Sequence, residues 1–370
     1  MRRNPPDVQL LAVTAGLVVF GLVALASATG PTGFQKFGDS YYFFKRQLFF
    51  GVLPGAFLLF LAARTPIERV KRFAPSMIIA AAVLLCLGFI PGLRADYGSG
   101  SWITVFGASL QPSEIAKLCL VLYFAWWLAR RDEATIKSFW SGFVPFAISV
   151  AIVIALMMAQ SDLGTTSVII AFLFSMYISA GASLKHLAIL SAAGAAMFAI
   201  FIKIAPYRAD RLKIFLRPDL DPQGVGYHIS QALLAIGSGG WFGLGLGKSR
   251  QKFQYLPEVA GDSIFAIISE ELGFLVSAAL ILAFLYLIYR GLKIAEQAHD
   301  PFSRYAAVGI TAWIGFQAVL NISAMVGLMP LTGVPLPFIS HGGTAMLANL
   351  AAVGVLASIS SEHGKLVRRK

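Results

Sequence analysis

Ten apolar stretches, each near the ~20 residues a helix needs to cross hydrocarbon, set the terms for this chain. They run at about 8–28, 45–63, 73–90, 112–129, 142–159, 163–181, 186–205, 263–289, 305–328 and 342–360. Composition excludes the soluble alternative. Of 370 residues, 57% are hydrophobic and 13% charged, with mean hydropathy +0.74. A soluble domain carries about a quarter charged residues. Disorder fails on the same shortage of charge and on 29 Phe. The predicted fold is an all-α polytopic membrane protein with about ten transmembrane helices. It forms one domain over 1–370, with a long extracytoplasmic loop, about 206–262, between helices seven and eight. The first stretch ends in Ala24-Leu25-Ala26-Ser27-Ala28, which suits cleavage. Its apolar run exceeds the ~7–15 residues of a signal h-region and reads as an uncleaved anchor.

Basic residues orient the spans. With the N-terminus in the cytoplasm, inner segments hold 17 of the 30 Lys and Arg and short outer loops hold 4. The long outer segment, counted from about Lys203 to Asp262, holds 8, and long loops escape the positive-inside rule. Both termini are therefore expected inside. The net charge of +12 serves topology, and no nucleic-acid partner is expected. The two cysteines and five histidines offer no metal-ligand spacing. Within the long loop, Ile229, Ala232, Leu233 and Ile236 recur at helical spacing. The glycines from 237 to 247 end that helix and read equally well as a flexible loop.

Four polar segments fall on the outer side. They are Trp102 to Gly107 with Gln111-Pro112-Ser113-Glu114-x-x-Lys117; Gln160-Ser161-Asp162-Leu163-Gly164-Thr165; Tyr255-Leu256-Pro257-Glu258, Asp262 and Glu270-Glu271; and Gly333-Val334-Pro335-Leu336-Pro337 to Ser340-His341-Gly342-Gly343. Lys117 is a cation one turn inside an apolar span and needs an anion, either Glu114 at i−3 or Asp262. A structural ion pair or a snorkelling lysine is the plain alternative. Asp262 stands before an apolar run, where an N-cap is the ordinary role. Glu270 and Glu271 are structural or conformational and are expected to meet Gln317, Asn321 or another span's backbone. The Gly/Pro stretch cannot be helical and must line protein or a cavity. Ser340, Gly342 and Gly343 leave backbone N–H groups for phosphate oxygens, unless the stretch is only a re-entrant turn.

In this order the motifs resemble the SEDS (shape, elongation, division and sporulation) family over nearly the whole chain. Gly245 to Glu258 is closer to the division members than to the elongation members. Departures are Gly261-Asp262-Ser263 for the usual Thr-Asp-Phe, Ser161 for Pro, and His341 for Tyr. The resemblance implies a peptidoglycan glycosyltransferase of the bacterial cytoplasmic membrane that polymerises lipid II, working with a class B penicillin-binding protein transpeptidase and other division or elongation membrane proteins. It puts the essential loop aspartate on Asp262 and the conserved polar run on Gln111 to Lys117. Asp262 is the expected base, Lys117 and Glu114 its catalytic partners. Trp102, Gln111, Ser113, Arg208, Arg211, Glu258, Ser340, Gly342 and Gly343 are expected at the substrate, with membrane lipids around. No fixed cofactor is implied, and a divalent cation, Mg2+ or Mn2+, stays open. A lipid II flippase and a non-catalytic scaffold are the rivals.

Overall fold

A computed structural model describes residues 5–90, 102–105, 108–204, 214, 215, 217, 221 and 224–362. Its helices fall where the apolar runs predict. They are α1 (Val8–Phe37), α2 (Tyr42–Arg64), α3 (Ile67–Leu87), α4 (Pro112–Ala129), the short α5 (Glu133–Lys137), α6 (Phe139–Ala159), α7 (Leu163–Ser179), α8 (Leu184–Ile204), α9 (Val225–Gly239), α10 (Ile264–Gln297), α11 (Pro301–Met325) and α12 (Gly343–Glu362). Eight of these are long and apolar enough to cross a membrane, and α7 and α8 supply shorter apolar helices. The only strands among the described residues, β1 (Ile103–Val105) and β2 (Ala108–Leu110), pair antiparallel, with Ile103 opposite Leu110.

Enclosure differs between helices. Burial covers 72%, 61% and 83% of the spanning windows of α4, α11 and α12, against 17% for α2 and α3. The enclosed helices carry the polar side chains that lipid would reject, among them Lys117, Gln317 and Asn349.

Two backbone irregularities have named partners. Pro31 sits inside α1 and cannot donate to the carbonyl four residues back. That carbonyl, Ser27 O, accepts instead from Lys252 Nζ at 3.3 Å. The second lies in α10, where Gly273 adopts φ 76° and breaks the helix. Glu270 O and Glu271 O accept from Leu244 N (3.0 Å) and Gly245 N (2.9 Å), while Phe274 N and Leu275 N donate to Gly240 O (2.8 Å) and Trp241 O (3.3 Å). Non-helical backbone within a span survives only where protein satisfies it. The glycine-rich segment after α9 does this, in place of the flexible loop that composition allowed. The reach of α9 matches the expected periodicity, with Ile229 and Ala232 buried, though Leu233 is exposed.

Candidate functional site

The four polar segments meet at one end of the bundle. Asp262 lies in the turn before α10. The N-cap position belongs to Ser263, and no side chain caps that helix, so the capping role expected as the plain reading of Asp262 does not apply. The turn is fixed from three directions. Asn321 Nδ2 on α11 donates to Asp262 O at 2.9 Å. Ser340 Oγ donates to Gly261 O at 2.6 Å, and His341 N to Ala260 O at 2.7 Å. From α9, His228 Nε2 lies 2.6 Å from Ser263 Oγ, which itself donates to Pro257 O at 2.7 Å. Since the hydroxyl proton is committed to Pro257, His228 donates from Nε2. Glu258, exposed, closes the turn by accepting from Gly261 N and Ser263 N.

Lys117 takes the nearer of its two expected anions. Its Nζ lies 2.7 Å from Glu114 Oε1 and donates to Gln317 Oε1 at 2.7 Å, beneath the Trp313 ring at 4.9 Å. Lysine and glutamate are each 0% exposed. Both side chains expected as catalytic partners are thus enclosed by protein, paired with each other and with Gln317. From Lys117 the network runs along α11. Gln317 Nε2 donates to Pro335 O (3.0 Å), and Asn321, one turn on, donates to Val334 O (2.8 Å) as well as to Asp262 O. Two amides four residues apart thus tie the buried ion pair, the Gly/Pro stretch and the aspartate turn together.

Gln111 is buried. Its N donates to Thr344 Oγ1 (3.2 Å) and its Nε2 to Asp162 Oδ2 (3.2 Å). Asp162 caps α7 by accepting from Thr165 N at 2.9 Å. Behind it, a Cβ on Gly164 would stand 2.4 Å from Val334 Cγ2, so only glycine lets the second segment lie on the fourth. Ser113 is buried, and Trp102, half-buried, stands just before β1. Arg208 and Arg211 lie outside the described residues. Two of the three N–H groups expected to await phosphate are engaged, Ser340 N donating to Leu336 O (3.0 Å) and Gly342 N to Gln47 Oε1 (3.0 Å), as is the intervening His341 N, to Ala260 O. Ser340 and Gly342 build the site rather than offer those donors, and Gly343 packs against Phe50, its Cβ position 3.3 Å from Phe50 O.

Glu270 and Glu271 do not meet the Gln317 or Asn321 side chains. Glu270 accepts from Ser249 Oγ and Arg250 N, and Glu271 pairs with Lys252 at 2.8 Å and accepts from Ser27 Oγ. Gln47 is a support that sequence reasoning missed. It clamps Ser340 O (3.1 Å) and Gly342 N, and the signal was an amide near the start of an apolar span. No group of three or more His, Cys, Asp or Glu that could hold a metal occurs among the described residues. Burial pushes the imidazolium forms of His228 and His341 down to about 4, Arg46 adding to the effect at His341.

Backbone strain marks the same place. The four non-glycine residues with positive φ among the described residues are Ser161, Gln254, Glu258 and Phe338. All lie in or beside these segments, and such strain persists where surrounding structure over-determines it, commonly at functional sites.

The family model described as "Cell cycle protein", FtsW/RodA/SpoVE, matches residues 8–365. Stage V sporulation protein E of Bacillus subtilis is 40% identical over 97% of this chain and 98% of its own length. A probable peptidoglycan glycosyltransferase FtsW of Geobacter metallireducens is 35% identical over 96% of this chain and 94% of its own. Among solved structures, a chain from work on "Structural coordination of polymerization and crosslinking by a peptidoglycan synthase complex" superposes with TM-score 0.82 at 26% identity, covering 97% of this chain and 99% of that one. The rod shape determining protein RodA of Thermus thermophilus gives TM-score 0.71 at 26% identity, covering 97% and 98%.

Proposed function

The chain belongs to the FtsW/RodA/SpoVE family, and from that premise we propose that this multi-pass membrane protein is a peptidoglycan glycosyltransferase that polymerises lipid II at the outer face of the bacterial cytoplasmic membrane. The bias of Lys and Arg, 17 inner against 4 in short outer loops over ten spans, supports cytoplasmic termini and an outward-facing site. The observation that carries the reading is the convergence of four polar segments, three of them with strained backbone, on the turn that bears Asp262. Glycosyl transfer from a lipid pyrophosphate needs a base beside the attacking sugar hydroxyl and a site shaped before the charge develops. Asp262 takes the proton from the 4-hydroxyl as its oxygen bonds to the anomeric carbon and the lipid pyrophosphate departs. Lys117, Glu114, Gln317 and Asn321 hold the turn in register. Trp102 and Glu258 border the substrate, and Arg208 and Arg211 meet its diphosphate. A class B penicillin-binding protein cross-links the product as partner, with other division or elongation membrane proteins around the pair.

Transport is the weaker reading, because the two deeper carboxylates are engaged by Lys252, Ser249 and Ser27. The test is Asp262→Asn, which keeps size and removes the basic carboxylate. Lipid II polymerisation in detergent by the folded variant, with and without a transpeptidase partner, should fall by about 10²–10⁴. Near-normal polymer from a variant with unchanged thermal stability would return Asp262 to a structural role.

A further inference from the structure

We propose that the cleft where α4 meets α5 and α6, at the end of the bundle opposite Asp262, binds the phosphodiester headgroup of an anionic membrane lipid. The cleft measures ≈580 Å³ and is lined by Trp126, Trp127, Arg130, Arg131, Asp132 and Ser141, among others. Its two cations are held and not spent. The Arg131 guanidinium lies over the Trp127 ring, 3.4 Å from the centroid, and Nη1 donates to Trp127 O at 2.8 Å. Arg130 lies over Trp126 at 4.9 Å. Among the described residues neither forms an ion pair, although exposed neighbours do, as with Lys137 and Glu133. Guanidinium carries five N–H donors in a fork that matches phosphate oxygens, and most of these ten remain unused.

The one acid of the lining is committed elsewhere. Asp132 caps α5, accepting from Thr135 N at 3.2 Å. Two guanidinium charges against one carboxylate leave the cleft with a net charge of +1, which a single phosphodiester neutralises. The α4 C-terminus points its partial negative charge at the cleft, about half a unit, and two full cations outweigh it.

Aromatic residues set the depth. Three of the chain's six Trp, at 126, 127 and 140, fall within this one corner. Trp140 is 77% exposed beside the exposed Phe139. Tryptophan gathers at the membrane–water boundary, the level where lipid phosphates lie, and basic pockets between spans at the cytoplasmic side hold anionic headgroups. From the proposed function this inference takes only its assignment of this end to the inner leaflet.

The experiment is native mass spectrometry of the full chain in detergent, titrated with phosphatidylglycerol or phosphatidylcholine. Phosphatidylglycerol should bind the wild type in preference. The double variant R130Q/R131Q should lose that preference about tenfold, while K137Q keeps it. Asp132→Asn retains an equally good cap and should strengthen binding, so the test survives if the double variant fails to fold. Equal binding by wild type, double variant and Asp132→Asn would overturn the proposal. Displacement by inorganic phosphate as readily as by phosphatidylglycerol would overturn the lipid assignment in favour of a free-anion site. Detergent measurements are blind to sidedness, so a failed topology and a failed headgroup site give separate results.

Discussion

Lys117 shows how much one residue can hold in place. It is fully buried, and its charge is balanced by Glu114, Gln317 and the Trp313 face. Removing one partner of a buried pair is destabilising by about 3–5 kcal/mol, because the other charge is left stranded. Asp262 lies at the far end of the Gln317–Asn321 ladder, so the positions of the two residues are linked through hydrogen bonds. Lipid II polymerisation rates should show Lys117→Met combined with Asp262→Asn hardly worse than Asp262→Asn alone, as members of one catalytic unit behave. Losses that multiply would separate their roles. The half-buried histidines His228 and His341 make a second prediction. An unfolded chain protonates histidine near 6.5, whereas His228 and His341 resist until about 4. Between those values the unfolded state binds more protons, so stability falls as pH falls, by up to about 3 kcal/mol per histidine. Thermal unfolding from pH 7 to pH 4 should show the decline, and H228Q should flatten its share.

At the scale of elements, the broken helix α10 is the most demanding piece. A Cβ on Gly273 would lie 2.3 Å from Gly243 N, at a φ of 76° that side chains avoid. Gly273→Ala should therefore lower stability by at least about 2 kcal/mol, read as a drop in melting temperature in detergent. An unchanged melting temperature would mean that the break is not required. Apolar runs made the helices legible, and α4 occupies the expected 112–129 because Pro112 and Arg130 bound it in the sequence. Where partners are remote, local reading failed. The glycines after α9 allow either a loop or a fitted segment, and what decides is the carbonyls exposed about thirty residues later. The first apolar run ends at about 28, yet α1 continues past Pro31 to Phe37, and Lys252 donates to the Ser27 carbonyl that Pro31 cannot serve. The polar motifs were legible as a set converging on one side. Their internal wiring was not, since Gln47 and Gln317 carry no motif signature and act through distant backbone.

For the whole molecule, sidedness is the property on which the proposed chemistry depends. Single cysteines placed at residues 132 and 219, in a background without Cys86 and Cys119, should separate cleanly. An impermeant thiol reagent on intact cells should mark 219 directly and 132 only after permeabilisation, and the opposite pattern would turn the site inward. The segment fitted to α10 bears on how such a molecule comes apart. Residues 240–245 and the break at Gly273 each complete the other's backbone hydrogen bonds, so neither can leave without stranding peptide groups in an apolar medium, which is unfavourable by several kcal/mol for each group. The two stretches are therefore expected to open together as one cooperative unit, their amides reporting one shared opening free energy in hydrogen exchange. Because the glycines precede α10 in the chain, the fitted segment is synthesised before the helix whose break it completes.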